Sequence, residues 1–450
     1  MLYRTSSAHT ELTRMFIPYA LSSTGDVRAA DPIPDVPFVQ LHEPLTETRV
    51  AELSRLKQVT TLALFDWRVG LGALADLPSL RMLRLRVDPG HDHPARSLDG
   101  LEHLPHLEAV AVDFAMQTPG KPLTVEGLRP LARASRLRFV SLEGFSEGEE
   151  AEAALAELAT SASLEIVHLS NGWSLAPEAL RSLVSMPRLR AVDVRDNDQW
   201  MSDAHLAVLR TSPTLQALSL GQPLASPPHV ITPKGLTASL EGWTTLRELG
   251  VVDCEAVKTP AIKAIAKLSL THLDVGEGGR NGRRMTDKSI APLGVMTQLE
   301  HLGIHGAEQL TDAGLEALHG LTSLTSFELL AMKNKVTPQG LAGLVSRLPG
   351  VRTLRLTGPV TDEVLTAIPS VADLENLGVA DASGLTPAGY RSIASIRSAR
   401  KVELHGVAPS HEALEALAAA PWAGVATLFC QPGTATPELR EAFPSLTLVG

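Results

Sequence analysis

Apolar residues recur along the chain in a fixed frame. Leu321, Leu324, Phe327 and Leu329 stand in the pattern LxxLxxLxL, and Leu77/Leu80/Leu83/Leu85 and Leu348/Val351/Leu354/Leu356 repeat it. Further copies are Leu104/Leu107/Val110/Val112, Met186/Leu189/Val192/Val194, Met296/Leu299/Leu302/Ile304 and Val371/Leu374/Leu377/Val379. The closing LxL alternates with period two, which predicts a short strand that buries one face. The first buried residue of these strands falls near 39, 62, 83, 110, 140, 167, 192, 218, 249, 273, 302, 327, 354, 377, 402 and 428. Leu446-Thr-Leu448 predicts one last short strand. The step is about 26 residues, enough for one strand and one helix per unit.

A second signature lies between the strands. Thr337-Pro-Gln-Gly-Leu341-Ala-Gly-Leu344 and Thr311-Asp-Ala-Gly-Leu315-Glu-Ala-Leu318 are two copies, and Thr232-Pro-Lys, Thr259-Pro-Ala, Thr361-Asp-Glu, Thr386-Pro-Ala and Thr436-Pro-Glu begin others. Each spells a helix start: threonine caps open N–H groups, proline suits the first turn, and aspartate complements the helix dipole.

About sixteen such units resemble the leucine-rich-repeat family, in its long-repeat type with a helix opposite each strand, as in ribonuclease inhibitor and the receptor parts of F-box proteins. The resemblance implies an α/β solenoid over residues 36–450, with residues 1–35 as an N-terminal cap. Strands stack about 4.8 Å apart and helices about 8–10 Å apart. A horseshoe is therefore expected, with parallel strands on the concave face and helices on the convex one. Many such repeats carry Asn or Cys two residues beyond the LxL. Here only Asn197 and Cys254 do, so other copies must satisfy their loops differently.

Bulk chemistry narrows the function. Hydrophobic residues make up 44% of the chain and aromatic ones 4%, which suits many small, equivalent core slots. The net charge of −10 argues against sequence-independent nucleic-acid binding. No apolar run is long enough for a membrane span. Met15–Leu21 follows Arg4 and Arg14, but it is short for a signal peptide and contains Pro18, so it is assigned to the cap. Cys254 and Cys430 stand about seven strand spacings apart, roughly 34 Å, too far for a disulfide. Two thiols suit a reducing compartment, so a cytoplasmic location is expected.

Strand phase assigns the remaining residues to the concave face. His272, Asp274, His301, His305 and Glu328 fall on three adjacent strands, where imidazoles and carboxylates offer protein contact, a metal or acid–base chemistry. Phe139 and Ile166, beside Phe65 and Met82, are expected as exposed apolar anchors, with His168 among them. The Gly-rich loop after Asp274 carries Arg280, Arg283 and Arg284, which suit an acidic or phosphorylated partner group. His91-Asp92-His93 has metal-ligand residue types, yet three consecutive residues rarely converge on one ion. No GxSxG, HExxH, CxxC or GxGxxG stands in a fitting context, so neither an enzyme nor a cofactor is expected.

The function these features imply is a scaffold that binds a protein partner on its concave face or loop edge. One alternative is an inhibitor or immunity-type protein blocking a basic enzyme or toxin. Another is metal-binding or catalytic use of the His/Asp/Glu cluster.

Overall fold

The computed structural model describes residues 33–449 except 34, 88–97, 115–124, 144–148, 171–174, 195–200, 222–230, 253, 255, 277–284, 331–334, 369–372 and 423. Two compact units divide the described chain, one ending at Gly235 and one running from Leu236 to Gly450. The first contains β1 (Phe38–Leu41), β2 (Thr61–Leu64), β3 (Met82–Val87), β4 (Ala109–Phe114), β5 (Phe139–Glu143), β6 (Ile166–Ser170), β7 (Ala191–Val194) and β8 (Ala217–Gly221). The second contains β9 (Glu248–Val252), β10 (His272–Gly276), β11 (His301–His305), β12 (Ser326–Leu330), β13 (Thr353–Thr361), β14 (Asn376–Gly384), β15 (Lys401–Val407), β16 (Val425–Cys430) and β17 (Leu446–Val449).

Within each unit, consecutive strands pair in parallel and in matching register, with register shifts only after Leu356 in β13 and after His405 in β15 among the described pairings. Leu62, Leu83, Val110, Val140 and Val167 align in one row, and Leu273, Leu302, Phe327 and Leu354 in another. Every residue of these two rows is buried. The predicted LxL phase is the observed core phase, and the fold is a leucine-rich-repeat solenoid. The connections depart from expectation at Leu71–Asp76 and Leu101–His103, which are 3-10 helices rather than α-helices, the first of them in a short coil. The step from Leu62 to Leu83 leaves too few residues for a longer α-helix. No disulfide joins Cys254 to Cys430. No described helix is long and apolar enough to cross a membrane.

The helix starts hold one coil to the next. Asp312 opens the helix Asp312–Glu316, and its carboxylate accepts from Thr337 of the following coil: the backbone N–H at 2.7 Å and the hydroxyl at 2.6 Å. Asp203 receives the same two bonds from Thr232, Asp287 from Thr311, and Asp362 from Thr386. In all four cases a glycine stands three residues beyond the threonine: Gly235, Gly314, Gly340 and Gly389. A Cβ there would meet an aspartate atom at 1.8, 2.4, 2.1 and 2.2 Å respectively. The glycine therefore makes room for the preceding coil's carboxylate. Where proline opens the preceding helix, as at Pro338 and Pro387, the corresponding residues are Val364 and Ala413. At the first of these junctions the Thr361 hydroxyl is buried without a partner.

Gly340→Ala is expected to destabilise the chain by about 1–3 kcal/mol, despite alanine's better helix propensity, because the new methyl displaces the Asp312 carboxylate from its charged hydrogen bonds. In an Asp312→Ala background, where the Asp312 Cβ alone remains 2.9 Å from the new methyl, the same change should cost clearly less. Denaturant midpoints of the four proteins of this cycle measure the coupling. An equal loss in both backgrounds would show that the glycine does not serve the carboxylate.

Candidate functional site

The face opposite the core displays the first, third and any fifth residue of β1 to β16, and the second and fourth residues of β17. In-register pairing turns these into rows. In the second unit the middle row runs Gly250, Asp274, Gly303, Glu328, Arg355, Gly378, Glu403, Thr427. Glycines fall beside the charged residues, and two of them are seats. A Cβ on Gly303 would lie 1.9 Å from Asp274 Oδ1, and one on Gly378 would lie 3.3 Å from Arg355 Cγ.

The structure brings together three of the five residues predicted from the sequence. His301 Nε2 donates to Asp274 Oδ1 at 3.1 Å, and His305 Nε2 approaches the same oxygen at 3.4 Å. A carboxylate only accepts, so both Nε2 atoms carry protons toward it. In neutral His301, Nδ1 is then an acceptor, and the Ser326 hydroxyl donates to it at 2.8 Å. His272 is half-buried; its ring stacks on that of His301 with centroids 5.9 Å apart. Glu328 turns the other way and pairs with Arg355 at 3.8 Å, and Arg355 reaches Glu403 at the same distance across Gly378.

This polar group is a core rather than an open surface. Asp274, His301 and His305 are at most 4% exposed, and Glu328 is buried too. Among the described residues, no three His, Cys, Asp or Glu side chains are placed to hold a metal ion.

The apolar residues of the first unit also require correction. Phe139 and Ile166 are 0% and 2% exposed, not open anchors. With Met82, Ala109, Ala111, Ala191 and Ala217 they form a buried cluster of their own on this face. His168 is half-buried, its Nδ1 2.8 Å from the Ser141 hydroxyl on the neighbouring strand. Arg280, Arg283, Arg284 and the His91–His93 group lie outside the described residues.

Accessible surface lies instead at β15 to β17, which were not singled out from the sequence. His405 stacks on Phe429, with centroids 3.9 Å apart and planes at 10°. Val425 is 58% exposed on the same face of β16, and Val449 is 42% exposed beside Phe429. Lys401 and Glu403 border this patch, 2.9 Å apart. Their signal in the sequence is the same alternation, Val425/Thr427/Phe429, continued into the last repeats. Burial holds the His405 imidazole below its usual pKa, against the opposing pull of Glu403.

Two outcomes test this geometry. Gly303→Ala should drive the Asp274 carboxylate off its seat, shift the ring nitrogen resonances of His301 and His305, and lower the melting temperature; unchanged resonances would rule out that seating. His405 has a lowered value in the folded state, so the unfolded chain binds its proton more readily. Its share of stability is full above the ordinary value of about 6.5 and is lost as pH falls through that value toward the lowered one. His405→Phe keeps the ring stack without titration. The variant should lose less stability than the parent between roughly pH 7 and 5, and an equal loss in urea titrations would contradict the assignment.

No family model matches the chain, and no curated protein matches it either. Among solved structures, an internalin (inlF) from Listeria monocytogenes is similar at TM-score 0.37 and 19% identity, covering 71% of this chain and 78% of that one. The yeast Rad7 and Elc1 complex is similar at TM-score 0.48 and 15% identity, covering 70% of this chain and 81% of that one. At these scores the likeness adds nothing to the strand register already described.

Proposed function

We propose that the chain is a protein-binding scaffold whose docking surface is the helix-free face of β15 to β17. The observation that carries this reading is the exposed Val425 and Val449 beside the His405–Phe429 stack, bordered by Lys401 and Glu403. An aromatic and aliphatic centre with a charged rim is the composition of an interface hot spot. The buried Asp274–His301–His305 group, on β10 and β11 of the same face, serves as a polar core that ties neighbouring strands.

Catalysis is the weaker reading even though Ser326, His301 and Asp274 are linked in series. A serine nucleophile needs preorganised donors for the developing oxyanion, commonly including its own backbone N–H. The Ser326 N–H is already bound to Glu300 O at 3.0 Å in the strand ladder. His301 and Asp274 are also buried, away from a substrate.

The test compares proteins recovered with the parent chain, with a Val425→Glu/Phe429→Glu variant, and with a Val295→Glu control at an exposed position away from the patch (71% exposed). A specific partner should be retained by the parent and the control and lost by the double variant. Recovery of the same proteins by all three, or of none by the parent, would defeat the proposal.

A further inference from the structure

We infer that the partner docked at β15 to β17 places an aromatic side chain over Ala380, against the open face of the His405 ring; this rests on the docking function proposed above. Register makes one row of Ala380 in β14, His405 in β15, Phe429 in β16 and Val449 in β17, with Ala380 one residue past the Val379–Leu404 pair. Phe429 has the His405 ring on one face, centroids 3.9 Å apart, and Val449 on the strand beside the other. His405 makes no ring contact besides that with Phe429. Its second face looks toward β14, where Ala380 carries a single methyl. On β13, the Thr357 hydroxyl donates to Leu329 O of β12 at 2.9 Å, away from β14. Ala380, His405 and Phe429 are all partly exposed, so the slot over Ala380 is open to solvent.

The first unit shows such a row filled. His42 stacks on Phe65 with centroids 4.5 Å apart, and the Arg86 guanidinium lies 5.7 Å from the centroid of the same ring. These three follow directly on Leu41, Leu64 and Leu85, which are aligned across β1, β2 and β3. Strand spacing, about 4.8 Å, therefore suits a run of stacked planar groups, since ring centroids prefer separations of about 4.5–7 Å. At Ala380 the chain supplies no third planar group, and the small side chain leaves room for one from outside. Charge selects a ring over a guanidinium. Lys401 and Arg355 reach Glu403 at 2.9 and 3.8 Å, and Arg355 reaches Glu328 at 3.8 Å, which matches two cations with two carboxylates. Asp381, next along β14, accepts from the Ser383 N–H at 3.2 Å and its hydroxyl at 2.6 Å. A guanidinium in the slot would find each of these carboxylates engaged, whereas a neutral ring needs no counter-charge.

The test titrates N-acetyl-tryptophanamide into the full chain and follows the His405 ring proton resonances, assigned by their loss in His405→Phe. The parent should show a saturable upfield shift, kept in Ala380→Ser and lost in Ala380→Trp. In the latter the introduced indole fills the slot and shifts the same resonances without probe. A parent shift that stays linear up to the solubility limit of the probe would overturn the inference. So would an undiminished shift in folded Ala380→Trp, or an equal saturable shift with N-acetyl-argininamide. The parent and serine arms decide the matter even where the tryptophan variant does not fold. The probe reports on the slot alone. Its failure leaves docking through Val425 and Val449 standing, and failure to recover a partner leaves ring binding in the slot measurable.

Discussion

A parallel ladder in constant register places like positions of successive coils about 4.8 Å apart. Any side chain that leans along the stack must then find space at the same position of its neighbour. This chain meets that constraint twice with the same device, a carboxylate resting over a glycine. On the sheet, Asp274 lies over Gly303 and reaches the histidines on either side of it. At the helix starts, Asp203, Asp287, Asp312 and Asp362 lie over Gly235, Gly314, Gly340 and Gly389. In both places the missing Cβ converts a steric conflict into charged hydrogen bonds between coils, each stronger than a neutral one.

The strands were legible because their signal is local and repeated. An LxL pair states both the strand and its inward face, and the register confirms that phase at every strand tested by it, such as Leu302 between Leu273 and Phe327. Threonine starts were mostly plain: Thr337 and Thr386 cap their helices, whereas Thr259 is the first helical residue after Lys258 and Thr361 makes no capping bond. The role of the following aspartate was not legible. Asp312 looked like a dipole complement, whereas its bonds run to a residue 25 positions later. The glycine three beyond each threonine recorded that contact, but only the pairing of two repeats reveals it.

Exposure was the least legible property. Alternation tells which face a side chain joins and says nothing of what lies over that face. Phe139 and Asp274 are therefore on the predicted face and yet buried. The first-position row does carry a trace of the difference. It is apolar from Met82 to Ala217 and polar from Glu248 to Lys401, ending at Val425. One sheet position thus serves an apolar layer in one unit, a polar core in the next, and open surface at β16.

The carboxylate–glycine pairing also bears on how such a chain can change in length. Coils of a solenoid are often treated as interchangeable modules whose number can drift by duplication or loss. Here a coil that begins with aspartate must be followed by one with glycine at the matching position, while a coil that begins with proline is followed by Val364 or Ala413. Excising a single coil would set Asp312 against Val364, whose side chain fills the space the carboxylate needs. Growth or loss of coils without harm is restricted to cuts that keep each aspartate with its glycine, so the order of the repeats is itself encoded.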